Sequence, residues 1–151
     1  MIAGAESDLI TGLPRIEGFK AALHKNNLPL KEHSIIQGDF SYHSGFSCLK
    51  TIIKNYPQLT AIFAASDEMA IGAMNAAQSI GIKVPEQLAI IGLDNTQLAN
   101  MCFPPLTTVE QDFYQMGWDG LNMLMDLMSG KKLKSKIMPH KIIERASVKS
   151  I

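Results

Sequence analysis

Apolar residues along this chain follow two spacings, one typical of buried strands and the other typical of helices. Continuous apolar runs at residues 60–65 (TAIFAA) and 88–93 (LAIIGL) are bounded by polar residues, which predicts two central strands of a parallel sheet. Shorter extended segments are predicted at five further places, residues 2–4, 34–37, 107–111, 137–138 and 141–143.

Apolar positions three and four residues apart predict the helices between these strands. They occur at four places, residues 15–24, 46–53, 69–77 and 113–128. Ser66 and Asp67 suit the cap of the third helix, and Gly81 and Gly130 follow the third and fourth. Strands and helices therefore alternate, which predicts an α/β fold: a three-layer αβα arrangement around a parallel sheet.

Polar or aromatic side chains follow the predicted strands. In open parallel sheets, ligands bind at the carboxyl ends of the strands. We therefore expect four pairs of residues to converge on one edge of the sheet: Ser7 and Asp8, Asp39 and Phe40, Ser66 and Asp67, and Asp94 and Asn95.

The composition is typical of a globular domain and does not favour binding to nucleic acid. The 151 residues fit one domain, and 46% of them are hydrophobic. Basic and acidic residues balance at 14 each, whereas a free-standing nucleic-acid binder usually carries a basic excess. We interpret the lysines between positions 131 and 136 as part of a solvated loop.

Metal, membrane and secretion signals are not found in the sequence. The four histidines and the two cysteines lack the spacing of metal ligands, so neither a metal nor a cofactor is predicted. Cys48 and Cys102 are far apart and suit reduced thiols in a cytoplasmic protein. No apolar run approaches the ~20 residues that a membrane span needs. The first residues lack the basic and long apolar regions of a signal peptide.

Five segments together carry a resemblance to a known family. They are residues 15–19 (RIEGF), 65–73 (ASDEMAIGA), 84–85 (VP), 91–95 (IGLDN) and 104–111 (PPLTTVEQ). In this order and spacing the chain resembles the effector-binding core of the lactose-repressor/galactose-repressor (LacI/GalR) family of transcription regulators. The PPLTT segment followed by Gln111 favours the repressors over their periplasmic sugar-binding relatives.

The resemblance implies an incomplete core of the type I periplasmic-binding-protein kind. Family members carry an N-terminal DNA-binding domain and two α/β lobes joined by three crossovers, with the effector between the lobes. By resemblance, residues 1–110 form the lobe distal to DNA, and residues 111–140 contain a crossover, a helix and a strand of the DNA-proximal lobe. Residues 141–151 return to the distal lobe. The DNA-binding domain is expected to be absent, so operator DNA would be bound only through that missing domain.

The resemblance also assigns candidate effector-binding residues. Arg15 matches an arginine that reaches the effector, and its guanidinium suits paired hydroxyls or a carboxylate. Asp94 would accept hydrogen bonds from vicinal hydroxyls, and the ring of Phe40 would stack on an apolar sugar face. Ser66 stands where sugar-sensing members often have asparagine, and capping a helix is its alternative role. The remaining candidates are Ser7, Asp8, Gln111 and Phe113.

Partners follow from the same resemblance. The effector is expected to be a sugar, a sugar phosphate, or a nucleoside or purine, and the chain is expected to form a homodimer without membrane contact. A surface near the family's dimer interface would contain five residues, with core packing as the alternative: Ile71, Met74, Leu98, Met101 and Phe103.

Two functions are compatible with these features, and a third is not expected. The first is the effector-sensing part of a DNA-binding transcription repressor. The alternative is the periplasmic sugar-binding subunit of a transporter, which shares the fold. An enzyme is not expected, because the sequence has no nucleophile elbow, phosphate-cradling glycine loop or paired-carboxylate motif.

Overall fold

The computed structural model describes residues 1–149, which contain six strands and five helices. The strands are β1 (Ile2–Ala3), β2 (Ile36–Gln37), β3 (Ala61–Phe63), β4 (Ala89–Asp94), β5 (Thr107–Gln111) and β6 (His140–Ile143). The helices are α1 (Gly12–Lys25), α2 (Tyr42–Asn55), α3 (Asp67–Ser79), α4 (Gln97–Met101) and α5 (Phe113–Met128). The α/β class predicted from the alternation of strands and helices is confirmed.

The strands run across the molecule in the order β2-β1-β3-β4-β5-β6. β1 pairs in parallel with β2, while β3, β4 and β5 pair in parallel with one another. A parallel bridge between Ile2 and Ala64 joins the two groups, and the amide of Ala65 donates to the carbonyl oxygen of Ile2 at 2.9 Å. The carboxyl ends of β1 to β4 therefore lie along one edge.

Helices α2 and α3 pack tightly against each other on one face of the sheet. A Cβ atom on Gly72 would lie 2.1 Å from the carbonyl oxygen of Tyr42, and one on Gly45 would lie 2.1 Å from that of Met69. Only glycine lets the two backbones approach this closely. The right-handed connections place α1 on the opposite face, where Phe19 stacks on Phe63 with ring centroids 6.4 Å apart.

Aliphatic side chains from the central strands and from α1 to α3 form the core. Its largest fully buried apolar members are Ile2, Ile16, Leu49, Ile52, Met69, Leu88, Ile90 and Leu106. Their burial supplies the main driving force for folding.

Three details differ from the sequence-based prediction. β6 runs antiparallel to β5, so the sheet is parallel only from β2 to β5. Residues 137–138 are not a strand, because the returning chain meets β5 only from His140 onward. The short helix α4, with Thr96 at its N-cap position, was not predicted, since five residues are too few for a helical period to be visible.

Helix α5 has the predicted bounds but differs from the others in its surroundings. The side chain of Asp112 caps it by accepting a hydrogen bond from the amide of Gln115 at 2.8 Å. None of its sixteen residues, all of which the structure describes, is buried, and Trp118 is 60% exposed. The lysine-rich segment that follows is an exposed loop, as expected, and Lys131 pairs with Asp126 at 2.6 Å.

Candidate functional site

A cleft of about 500 Å³ opens at the carboxyl edge of the sheet. Each strand-to-helix connection from β1 to β4 contributes to it. Thr11 and Arg15 come from the start of α1, Asp39, Phe40 and Ser41 from the β2–α2 connection, Ser66, Asp67 and Glu68 from the start of α3, and Asp94 and Thr96 from the β4–α4 connection.

Arg15 and Asp94 face each other across the cleft. The Nη2 of Arg15 lies 3.8 Å from Oδ1 of Asp94, and the two side chains are only 20% and 23% exposed. Arg15 is fixed by a hydrogen bond from its Nη1 to the carbonyl oxygen of Ala65 at 2.7 Å. A guanidinium and a carboxylate are therefore held side by side without a close ion pair, so Arg15 can donate hydrogen bonds to a ligand's hydroxyl groups and Asp94 can accept hydrogen bonds from them.

The carboxyl group of Asp94 is perturbed by this environment. Burial raises its pKa, and the nearby Asp67 adds to the rise, whereas Arg15 and the hydrogen bond from Gln111 act in the opposite direction. A pKa shifted by burial together with a specific charge partner, in a cleft, is common at functional sites.

Phe40 forms the apolar wall of the cleft. The guanidinium of Arg15 lies over its ring, 5.7 Å from the centroid. Gly4 makes room for the ring, since a Cβ atom there would lie 2.1 Å from the ring's Cζ. The ring supplies an apolar surface to the cleft, and the guanidinium beside it supplies hydrogen-bond donors.

Three of the five non-glycine residues with a positive φ in the described part of the chain lie at or beside the same cleft. Phe40, Asp94 and Asn95 have φ angles of 67°, 116° and 54°, in the left-handed region that residues with a Cβ rarely occupy. Such conformations persist only where the surrounding structure fixes them, and they cluster at ligand-binding sites.

Ser66 and Asp67 have structural roles at the base of the cleft. The Oγ of Ser66 accepts from the amide of Met69 at 3.2 Å, so Ser66 caps α3 while it also lines the cleft. The buried carboxyl of Asp67 accepts from the Oγ1 of Thr108 at 2.5 Å and from the amide of Thr96 at 2.6 Å. These contacts tie the starts of α3 and α4 to β5.

The structure brings four of the eight candidate effector-binding residues together in the cleft: Arg15, Phe40, Ser66 and Asp94. Ser7 and Asp8 do not line it. Asp8 instead turns back on its own loop, where it accepts hydrogen bonds from the amides of Ile10 and Thr11, both at 3.0 Å, and from the Thr11 hydroxyl.

The other two candidates lie where the chain leaves the cleft. The Nε2 of Gln111 donates to Oδ1 of Asp94 at 2.9 Å, so Gln111 orients the acid from the end of β5. Phe113 begins α5, is exposed and does not line the cleft.

Four residues that line the cleft were not predicted from the sequence. Ser41, Glu68 and Thr96 each directly follow one of the strand-end pairs, and Thr11 stands at the N-cap position of α1. Ser41 and Thr96 stand at the N-cap positions of α2 and α4, so attention to helix N-caps beside strand ends would have found them.

The five residues predicted to lie near the family's dimer interface, in and around α3 and α4, are only partly exposed. Phe103 is 91% exposed, and Leu98 and Met101 are also exposed, next to the half-buried Ile71. Met74 is only 3% exposed and packs in the core, so it adds nothing to this surface.

Comparison with known proteins identifies the family. The model of the periplasmic binding protein-like domain matches residues 3–148. This chain belongs to that family. The match spans nearly the whole chain.

Curated relatives are transcription regulators. Catabolite control protein A of Priestia megaterium is 36% identical over 150 residues, which cover 98% of this chain and 45% of the relative. The HTH-type transcriptional repressor CytR of Escherichia coli (strain K12) is 35% identical over 139 residues, which cover 91% of this chain and 41% of the repressor. This member of the family thus spans less than half the length of these relatives.

Solved structures give the same result. A lac repressor dimer bound to operator and the anti-inducer ONPF superposes with a TM-score of 0.92 at 29% identity, covering 99% of this chain and 51% of the repressor chain. The transcriptional regulator CelR in complex with cellobiose gives a TM-score of 0.90 at 30% identity, covering 97% of this chain and 45% of that one. The resemblance to LacI/GalR regulators is confirmed.

Proposed function

We propose that this chain is one lobe of the effector-sensing core of a DNA-binding transcription repressor, and that its cleft holds half of a small hydroxyl-rich effector. The observation that carries the proposal is the opposition of Arg15 and Asp94 beside the ring of Phe40. Donor, acceptor and apolar face are the three elements that a sugar or a nucleoside requires. The curated relatives support the regulatory role, since they are named as repressors or control proteins.

In this proposal the effector acts by shifting populations. A ligand that contacts both lobes stabilises one interlobe arrangement over another only by its differential affinity for the two. The relatives' greater length supports the presence of a second lobe and a DNA-binding domain in the intact protein. Operator binding therefore belongs to that intact protein, which would act in the cytoplasm and not as an enzyme.

Asp94→Ala tests the site. We expect affinity for a binding sugar or nucleoside to fall about 10-fold to 100-fold, because a hydrogen-bonded charged group contributes about 1.5–3 kcal/mol. Titration calorimetry or amide chemical shifts would measure the loss. Asp126→Ala, on exposed α5, is the matched control and should bind like the wild type. Unchanged affinity in Asp94→Ala would reject the assignment of the cleft.

Helix α5 and residues 111–140 are proposed to belong to the second lobe. Apolar side chains with no cover in this chain support this: Phe113, Tyr114, Met116, Trp118, Leu121, Leu124, Met125, Leu127 and Met128 are exposed. A helix that is apolar around most of its circumference is normally buried. In the intact protein, the additional length seen in the relatives would cover it.

Ile71, Leu98, Met101 and Phe103 are proposed to contact a second copy of the chain. Contiguous exposed apolar side chains of this kind mark interaction surfaces. We expect Phe103→Glu to shift the intact protein toward monomer in sedimentation velocity, because a charge would be buried in the contact. Lys83→Glu, an exposed charge change elsewhere, should leave the distribution as it is.

The transporter subunit is less well supported than the repressor. It shares the fold, but the curated relatives described above are transcription regulators. The coding sequence upstream distinguishes the two: a helix-turn-helix and hinge would support the repressor, and a signal peptide or lipobox would overturn it.

A further inference from the structure

We propose that this half of the cleft accepts an uncharged, hydroxyl-rich part of the effector and excludes phosphate groups. The inference rests on the proposed function, because it narrows the chemistry of the ligand bound at that same site. It starts from the charges that line the cleft and from the contacts that already engage them.

Carboxyl groups outnumber cations in the lining. Asp39, Asp67, Glu68 and Asp94 all line the cleft, and Arg15 is the only basic side chain that does so among residues 1–149. Arg15 keeps N–H groups free to donate, but its positive charge is offset by the carboxylate of Asp94, 3.8 Å away. A phosphate group entering here would therefore meet one offset cation and three further carboxyl groups.

Helices α1, α2 and α3 begin at the cleft, and helix N-termini attract phosphate through free amides and the helix dipole. At the start of α1 the amides of Thr11 and Leu13 both donate to Asp8, and Pro14 has no amide hydrogen. At the starts of α2 and α3, the amides of Ser44 and Met69 are taken by the hydroxyls of Ser41 and Ser66.

The chain's own acids already occupy the positive ends of these helices. Asp67 and Glu68 stand in the first turn of α3, and Asp39 directly precedes the cap of α2 and accepts from the amide of Ser41 at 2.9 Å. Hydrogen bonds from Ser41 lower the pKa of Asp39 to about 2, so it is charged at neutral pH. A phosphate monoester, with a charge of about −1.5 to −2, would add to this negative field.

A neutral polyol fits the same groups. Its hydroxyls can donate to Asp94 and accept from Arg15, and a CH-rich face can lie on Phe40 without adding charge. Because the polyol is uncharged, the carboxylates of the cleft do not repel it. It therefore gains hydrogen bonds without an electrostatic cost.

Amide chemical shifts of the ¹⁵N-labelled chain at constant ionic strength test the inference. The probes are inorganic phosphate and a neutral panel of glucose, cellobiose, ribose, adenosine and cytidine. We expect a neutral compound to shift the amides of Phe40, Ser66 and Asn95 saturably, while phosphate at equal concentration leaves them in place.

Charge removal sharpens the result. We expect Asp39→Asn and Glu68→Gln each to raise the affinity for phosphate about fivefold, because each removes the Coulomb repulsion of one charge several ångströms away. The double variant should show the largest increase. Asn keeps the acceptor that Asp39 offers to Ser41. Glu32→Gln, an exposed acid in the connection before β2, is the matched control and should change nothing.

Each remaining outcome has a definite meaning. The exclusion of phosphate would be overturned if phosphate shifted the wild-type cleft amides saturably and bound as tightly as any neutral compound. It would also be overturned if the variants did not change the affinity for phosphate. In both cases the proposed function would still stand. If no neutral compound and no phosphate shifts these amides, the proposed function itself fails.

Discussion

The body around β1 to β5 and helix α5 were predicted from the same kind of apolar pattern, yet they differ sharply in packing. In the body, α2 and α3 touch through glycines, and eight large apolar side chains are fully buried. In α5 the same types of residue face solvent, although the helix begins and ends where the sequence predicts. An amphipathic period therefore predicts that a helix forms, but not which surface covers it.

A leucine in each region measures this difference most directly. Leu49 is fully buried, whereas Leu124 is 52% exposed. We expect Leu49→Ala to lower the free energy of unfolding by about 2–5 kcal/mol, through lost burial and a residual cavity. Leu124→Ala should stay within about 0.5 kcal/mol of the wild type. Chemical denaturation measures both, and equal losses would show that α5 is packed after all.

Glycines in the two regions should respond with opposite signs. Gly72→Ala should destabilise the body by about 1–3 kcal/mol, because the new methyl group collides with the backbone of α2. Gly120 has open space around its Cα atom, so Gly120→Ala should stabilise α5 by up to about 1 kcal/mol. Denaturation followed by circular dichroism and amide exchange would separate the two responses. A neutral Gly72→Ala would contradict the close helix contact.

Acidification should change the free energy of unfolding least, and it acts through Asp39 in the β2–α2 connection at the cleft. The pKa of Asp39 is lowered from 3.8 to about 2 in the folded state, so its contribution to stability is complete above 3.8 and is lost as the pH falls toward 2. We expect unfolding free energy to decline between these pH values, and to decline less in Asp39→Asn. An identical decline in the two proteins would show that the hydrogen bonds of Asp39 do not contribute.

Local signals explain what the sequence could predict. The start and end of α5 follow from Asp112, whose side chain caps it, and from Gly130, which lies just beyond it. The cleft edge was predictable because parallel strands place Asp39, Ser66 and Asp94 at one end of the sheet. These features depend on neighbours in sequence or on a rule of topology.

Long-range pairings explain the rest. The direction of β6 depends on where the chain returns to the sheet, which no local period encodes. The role of Asp67 depends on Thr108, which is distant in sequence. Asp8 lies outside the cleft lining, because the amides of its own loop already engage its carboxyl group. Both assignments require the tertiary structure.

The antiparallel pairing of β5 with β6 has a consequence for protein engineering. Gln111 and His140 are register partners, so residues 112–139 leave the sheet and re-enter it at adjacent positions. That whole excursion is topologically the loop of a β-hairpin. Exchanging it for a short turn such as Asn-Gly would join the two strands directly and remove the exposed apolar helix. The remaining body would keep its core and cleft as a minimal scaffold for display or ligand sensing.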